Sequence, residues 1–134
     1  MEKRIYFHDT DAGGVVYYGT YLQYLEEART EFLEKRGVSV ASFYDRGLLY
    51  AVSECHIRYR SPARYADTLL CEATLKTATA VKLIFNQTIH EKKTHRLIVE
   101  AEVTLVCLSK EFKPTAIPDD LKEALLKSIS RIFP

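Results

Sequence analysis

One long amphipathic segment followed by runs of alternating residues constrains the fold of this chain most. Between residues 18 and 36, apolar side chains recur every three or four positions with charged ones between them. This spacing predicts an amphipathic helix that ends at Gly37, a residue suited to the position just past a helix. Because the apolar stripe must be buried, the helix needs a partner layer elsewhere in the chain.

The partner layer is predicted to be a sheet, since apolar and polar residues alternate in four later runs as in half-buried strands. These runs cover residues 53–60, 69–75, 81–89 and 97–107. The links at 77–80 and 92–95 are too short for helical crossovers, so the strands that they join are predicted to be antiparallel, as a meander. The first and last strands are expected to be the edges of the sheet, which association with further copies would protect.

Three shorter elements complete the prediction. Glu2–Phe7 has the β-branched and aromatic character of a first strand, Ser39–Arg46 can form a short helix, and Pro118 opens a final helix that reaches Ile129. The predicted fold is α+β, with the long helix packed on a five-stranded antiparallel sheet.

Size and composition limit what the chain can be. Its 134 residues suit one domain, expected over 1–134, and 19 basic against 18 acidic residues do not indicate a nucleic-acid partner. Cys55, Cys71 and Cys107 lie apart in strand-like runs, so we expect small core residues rather than disulfides. There is no apolar stretch of membrane-spanning length and no signal sequence, so we expect a cytoplasmic protein with no transmembrane segment.

The segment 7–18 is the most informative one for function. It carries Asp9 and Asp11 on a turn with Gly13 and Gly14, directly before the predicted helix start near Tyr18. A helix start offers unpaired N–H groups and a positive dipole end. A carboxylate beside such an anion-binding position suggests acyl chemistry.

This turn also has other interpretations. A calcium loop would need an oxygen ligand at Gly13 and a glutamate at Thr20, so no metal is expected. The ending of a phosphate-binding loop and the serine of a nucleophile elbow are both missing. A purely structural turn, in which Asp9 caps the backbone and Asp11 is solvated, stays open.

A short basic cluster spans residues 58–64, with arginines at 58, 60 and 64. One interpretation is a solvated strand end. The other is a set of guanidiniums that face a phosphorylated ligand. The sequence does not decide between them.

Together, the segments 9–18 with Tyr21, 27–31 and 59–64 resemble the hotdog-fold acyl-CoA thioesterases, over nearly the whole chain. The similarity is greatest to the branch related to 4-hydroxybenzoyl-CoA thioesterase and to the thioesterase associated with the bacterial Tol–Pal cluster. The resemblance implies a curved sheet wrapped around the long helix, and homodimers or homotetramers with the active site at the dimer interface. It also implies that Asp11 is the catalytic carboxylate and that the backbone N–H of Tyr18 polarises the thioester carbonyl.

This chain departs from the hydroxybenzoyl-specific members at Gly19, where they carry proline, and at 77–80, where they carry an arginine-rich hairpin. We therefore expect aliphatic acyl-CoA substrates and no cofactor beyond the coenzyme A of the substrate. Asp11 can attack the carbonyl or draw a proton from water. The predicted substrate-binding residues are Gly13, Gly14, Tyr17, Arg60 and Arg64.

Two alternatives remain from the sequence. A non-catalytic module that binds acyl-CoA or acyl carrier protein would keep an apolar groove without the chemistry. A hotdog dehydratase would need a histidine near the helix, and no histidine occurs between His8 and His56.

Overall fold

A computed structural model describes residues 1–130, with side chains described as far as residue 127. The last four residues of the expected domain lie outside this range. A short 3₁₀ turn covers Phe7–Asp9. The regular elements are β1 (Glu2–Arg4), α1 (Thr20–Glu34), α2 (Val40–Asp45), β2 (Leu48–Tyr59), β3 (Thr68–Ala78), β4 (Lys82–Glu91), β5 (Leu97–Ser109) and α3 (Asp119–Ser130).

All five strands form one antiparallel sheet in the order β1-β3-β4-β5-β2. The predicted meander is confirmed for β3, β4 and β5, whose short links force neighbours to pair. β2 pairs with β5 instead of β3, so the expectation that the last strand is an edge is wrong. The edges are β1 and β2, and within residues 1–130 no strand pairs with the outer side of β2.

The predicted long helix is confirmed, and its apolar stripe is buried on the sheet. Each fully buried apolar side chain contributes about 1.5–3 kcal/mol. Gly37 follows the helix with φ +77°, and the Val38 N–H donates to the Leu33 carbonyl oxygen at 2.9 Å. The buried apolar residues of α1 are Tyr21, Tyr24, Leu25, Ala28, Phe32 and Leu33.

The chain differs from prediction at both ends of the loop that precedes α1. β1 ends at Arg4, before the predicted Phe7, because the Asp9 carboxylate accepts the Tyr6 N–H at 2.8 Å and the chain turns there. Helix α1 begins at Thr20, slightly after the predicted Tyr18. The intervening loop uses its backbone groups for its own hydrogen bonds.

The two halves of β2 differ in burial. Its start packs against the core, whereas residues 52–56 are exposed on both faces. Cys55 is exposed, so the expectation of a core cysteine is wrong there, while Cys71 and Cys107 are buried as predicted. Within residues 1–130, no helix has the length and apolar character that crossing a membrane requires.

Candidate active site

The loop before α1 folds back on itself as a small hairpin. The Asp11 N–H donates to the Val15 carbonyl oxygen at 2.9 Å, and the Tyr17 N–H donates to the Asp9 carbonyl oxygen at 3.0 Å. The Val16 N–H donates to the Ala63 carbonyl oxygen at 2.9 Å, which ties the hairpin to the segment after β2. The acidic segment is therefore held beside the residues that lead into α1.

The two aspartates of this hairpin have different surroundings. Asp9 is buried, and it lies near the hydroxyl of Tyr24, whose pKa is raised by burial and by this carboxylate. Asp11 is exposed, and its Oδ1 accepts the Gly13 N–H at 2.8 Å. Among the described residues, no donor contacts the second oxygen of Asp11. Asp9 therefore stabilises the loop, while Asp11 presents a carboxylate that can react.

The two glycines of the turn have different roles. Gly14 has φ +78°, a left-handed conformation that side chains disfavour. Gly13 packs close to the carboxylate, since a Cβ on Gly13 would lie 3.2 Å from the Asp11 Oδ1. Gly14 thus allows the turn, and Gly13 leaves room for the Asp11 side chain.

The backbone N–H of Tyr18 donates no hydrogen bond to any described residue. It lies two residues before the first residue of α1, where the helix dipole favours negative charge. The Tyr18 carbonyl oxygen accepts a hydrogen bond from the Tyr59 hydroxyl at 3.2 Å, which anchors this residue to the end of β2. An unpaired and anchored N–H is suited to bind a developing oxyanion.

Tyrosine rings form a wall beside this N–H. The Tyr17 and Tyr18 ring centroids are 4.8 Å apart, and Tyr18 meets Tyr59 edge to face at 6.3 Å. Tyr21 lies behind them, and its hydroxyl accepts the Ala63 N–H at 3.2 Å. Tyr17, Tyr18 and Tyr59 are each about half exposed or more, so a ligand can contact them.

The two arginines that were predicted to bind substrate have different surroundings in the structure. Arg60 forms an ion pair with Glu100 on β5, and this contact holds the pKa of the Glu100 carboxyl below its usual range. Arg64 lies beside the hairpin through its bridge to Val15, and its guanidinium has no ion pair within the described part of the chain. Of the two, Arg64 is the arginine whose guanidinium is not engaged by a carboxylate among the described residues.

Sequence reasoning did not identify Arg96. Its Nη1 donates to the Ser61 hydroxyl at 2.8 Å and to the Pro62 carbonyl oxygen at 2.6 Å. These bonds fix the segment after β2, to which the hairpin is hydrogen-bonded. No spacing signal marked this arginine, because it lies far from that chain in the sequence.

A buried polar pair inside the fold was also missed. Arg29 is only 7 % exposed, and its Nη1 donates to the Gln87 Oε1 at 3.0 Å. The Gln87 Nε2 donates to the Leu25 carbonyl oxygen at 2.9 Å, and burial lowers the pKa of Arg29. Arg29 lies four residues after Leu25 on the buried face, and Gln87 stands at an apolar position of its run, so both were detectable as breaks in the pattern.

Two cavities of the described chain lie away from the hairpin. A depression of about 780 Å³ is lined by β2, β4 and β5, and a cavity of about 250 Å³ lies between α1, α2 and the start of β2. Asp11 and Tyr18 line neither of them and lie on open surface. In residues 1–130, no three His, Cys, Asp or Glu side chains are grouped so that they could hold a metal ion.

This arrangement agrees with the known proteins to which the chain is similar. Residues 5–125 match the thioesterase-like superfamily. The chain belongs to the thioesterase-like superfamily. This thioesterase-like protein is 34% identical over 119 residues to the acyl-CoA thioester hydrolase YbgC of Escherichia coli O157:H7, with 88% of each chain covered.

Further proteins that are similar to this chain are also named as thioesterases. The acyl-CoA thioesterase YbgC of Haemophilus influenzae is 31% identical over 123 residues, which cover 90% of this chain and 89% of that protein. The crystal structure of a 1,4-dihydroxy-2-naphthoyl-CoA thioesterase from Synechocystis has a TM-score of 0.86 at 26% identity, covering 94% and 93% of the two chains. A 4-hydroxybenzoyl-CoA thioesterase structure, 21% identical with a TM-score of 0.86, shares the fold.

These similarities confirm the predicted family and the predicted hotdog fold, a long helix on a curled antiparallel sheet. The association with the Tol–Pal cluster stays a prediction. The roles of the individual site residues also stay predictions, which the geometry of the hairpin and of the Tyr18 N–H supports.

Proposed function

We propose that this thioesterase-like protein hydrolyses acyl-CoA thioesters to a free acid and coenzyme A, with Asp11 as the catalytic carboxylate and the Tyr18 N–H as the electrophilic donor. One observation carries the proposal. An exposed carboxylate and an unpaired amide at a helix start are held together by one hairpin.

The chemistry follows from these two groups. As a nucleophile adds to the thioester carbon, negative charge develops on the carbonyl oxygen, and the Tyr18 N–H stabilises it without reorganisation. The carbon–sulfur bond then breaks, and the coenzyme A thiolate leaves and takes up a proton. Asp11 either forms a mixed anhydride that water hydrolyses or removes a proton from the attacking water.

We infer the remaining contacts from exposure and charge. Gly13 and Gly14 shape the turn, and the exposed ring of Tyr17 borders the reacting group. Arg64 is the better candidate for a coenzyme A phosphate, because the guanidinium of Arg60 is engaged with Glu100. An aliphatic acyl group can contact the exposed rings of Tyr17 and Tyr18 and the exposed side chain of Leu22.

We also propose that the working form is a homodimer joined at β2, or a homotetramer made of two such dimers. This edge strand has a row of unpaired backbone groups that a second copy can pair. Large apolar side chains are exposed on the elements around it, as expected of an interface. These residues are Tyr17, Tyr18, Leu22, Val40, Tyr44, Val52 and Tyr59.

The test is thiol release from a panel of acyl-CoA substrates, with the same acyl groups on acyl carrier protein and one aromatic acyl-CoA for comparison. The proposal expects turnover of aliphatic acyl-CoA. Tight binding of acyl-CoA without thiol release would instead favour a non-catalytic acyl-binding module. The cytoplasmic location stays a prediction, checked by fractionation of cells that express the protein.

A further inference from the structure

Two exposed aromatic rings meet just before the hairpin, and they have no role in the chemistry described so far. Phe7 is 79 % exposed and Tyr65 is 54 % exposed. Their ring centroids are 6.4 Å apart, and the ring planes meet edge to face at 75°. Phe7 and Tyr65 thus form an aromatic corner that is open to solvent. Apolar side chains that are exposed together, rather than singly, mark binding surfaces.

Backbone hydrogen bonds hold the two sides of the aromatic corner together. The Ala66 N–H donates to the Ile5 carbonyl oxygen at 3.0 Å, and the Ile5 N–H donates to the Asp67 carbonyl oxygen at 2.8 Å. Ala66 has φ +70°, a left-handed conformation that residues other than glycine seldom adopt. Such a conformation persists only where the surrounding structure determines it. The corner is therefore a fixed part of the loop between β2 and β3.

The residues that flank the aromatic corner add a second pair of rings and two cations. The Tyr6 and His8 rings are stacked, with centroids 6.1 Å apart and planes within 6° of parallel. The Arg4 guanidinium lies 5.2 Å from the centroid of the Tyr6 ring, and Arg64 directly precedes Tyr65. Within residues 1–127, neither arginine forms an ion pair with a carboxylate. Flat aromatic surface and two cations without a counter-charge thus occur together.

This combination suits a purine nucleotide. A base stacks on exposed aromatic rings, and guanidiniums bind phosphate oxygens through charge-assisted hydrogen bonds. We propose that the aromatic corner stacks the adenine of the acyl-CoA substrate, while Arg64 and Arg4 bind its phosphates. This inference rests on the proposed thioesterase function and adds the location of the nucleotide. It also gives the enzyme a means to prefer coenzyme A over a carrier that lacks adenine.

The aromatic corner lies within reach of a thioester that reacts at the hairpin. Phe7 precedes Asp11 by four residues, so their Cα atoms are at most about 14 Å apart. The extended pantetheine arm of coenzyme A spans this distance. Arg64 is joined to Val15 of the hairpin by a β-bridge, so the segment that carries this cation also lies beside the hairpin.

Substrates that differ only in the carrier test the nucleotide site. The same aliphatic acyl group is placed on coenzyme A and on pantetheine, which lacks both the phosphates and the adenine. We expect Phe7→Ser and Tyr65→Ser each to raise the KM for acyl-CoA by about fivefold or more, with no rise in the KM for acyl-pantetheine. Tyr65→Phe keeps the ring and should restore the wild-type KM. The matched control is Phe112→Ser, which removes a ring that is 72 % exposed in the turn after β5 and should change neither KM.

Adenosine 3′,5′-bisphosphate tests the site apart from catalysis, because it keeps the adenine and a 3′-phosphate but has no thioester. We expect calorimetry to show that it binds the wild type and kinetics to show that it competes with acyl-CoA. Phe7→Ser should weaken its binding by about fivefold or more. Arg64→Gln should weaken it as well, and this loss should become smaller at high salt, because the contact joins opposite charges.

The results separate the nucleotide site from the proposed function. An unchanged KM for acyl-CoA in both serine variants of the corner would overturn the site, as would an equal rise in KM for acyl-pantetheine or in Phe112→Ser. In each of these cases the thioesterase function would stand. If the wild type hydrolyses no acyl-CoA, the proposed function fails, and the bisphosphate then decides alone. Binding that Phe7→Ser weakens would support an adenine nucleotide site, and the lack of binding would overturn it.

Discussion

The Tyr59 hydroxyl at the end of β2 donates a hydrogen bond of 3.2 Å to the Tyr18 carbonyl oxygen at the approach to α1. The edge of the sheet is thereby joined to the residue whose N–H is proposed to bind the oxyanion. Burial raises the pKa of Tyr59, so the phenol stays protonated and able to donate at neutral pH. The strand that is proposed to bind the second copy thus also positions the amide that is proposed to be catalytic.

Removing this hydrogen bond should affect catalysis and leave the fold intact. Tyr59→Phe keeps the ring contact with Tyr18 but loses a bond whose net contribution is about 0.5–1.5 kcal/mol. We expect kcat to fall by about three- to tenfold on short and long acyl-CoA alike. The matched control is Tyr65→Phe, whose ring packs on Phe7 and whose hydroxyl makes no hydrogen bond among the described residues. Equal losses in both variants would contradict a positioning role for Tyr59.

The two glycines of the hairpin should respond differently to alanine. In Gly13→Ala the new methyl group would lie 3.2 Å from the Asp11 Oδ1 and displace the carboxylate. A misplacement of about 1 Å costs about a hundredfold in rate, so this smaller shift should lower kcat by about tenfold. In Gly14→Ala the methyl group meets nothing within 4 Å, but the left-handed φ of +78° costs about 1–2 kcal/mol of stability. Steady-state kinetics and urea unfolding of both variants separate the two effects, and a reversal of this pattern would contradict the assignment.

The three cysteines should differ in reactivity. Burial raises the pKa of the Cys71 thiol to about 12 and also raises that of Cys107, so neither forms the reactive thiolate in the folded protein. A thiol reagent should modify only Cys55 rapidly, and Cys55→Ser should abolish the fast phase. If β2 is the dimer interface, dilution should accelerate the modification of Cys55. Rapid labelling of Cys71 in the native protein would contradict the described packing.

Glu91 should make stability depend on pH in the acid range. The Thr94 N–H at 2.7 Å and the Thr94 hydroxyl at 2.8 Å lower the pKa of this carboxyl in the folded state. Its contribution is therefore present above the ordinary pKa of about 4.3 and is lost as pH falls through the lowered value. The difference in unfolding free energy between the wild type and Glu91→Gln should be larger at pH 7 than at pH 3. The same difference at both pH values would show that the turn does not depend on the charge.

The local sequence pattern predicted the helices and strands well, but it predicted the order of the strands in the sheet less well. The period of α1 and the short links between β3, β4 and β5 are local properties, so both could be inferred. The link from β2 to β3 is longer and does not determine which strand β2 pairs with. For this reason the sequence alone did not reveal β2 as an edge strand or Cys55 as an exposed residue.

In the candidate site, too, one part could be predicted from the sequence and another could not. Asp11, the glycines and Tyr18 belong to one short segment, so their proximity follows from the turn and the helix start. Contacts such as Arg29 with Gln87 or Arg96 with Pro62 join distant parts of the chain, and only the folded sheet brings them together. The separation of Arg60 from the site also depends on β5, which supplies Glu100.

The proposed role of Asp11 is tested most directly by comparing kcat for acyl-CoA hydrolysis in Asp11→Asn and Asp9→Asn. In Asp11→Asn the side-chain amide oxygen can still accept the Gly13 N–H, so the turn should persist while the reactive carboxylate is lost. We expect Asp11→Asn to lose about 10²–10⁴ in kcat with unchanged stability, and Asp9→Asn to lose mainly stability, since Asp9 is buried in the loop. A kcat for Asp11→Asn equal to that of the wild type would contradict the mechanism.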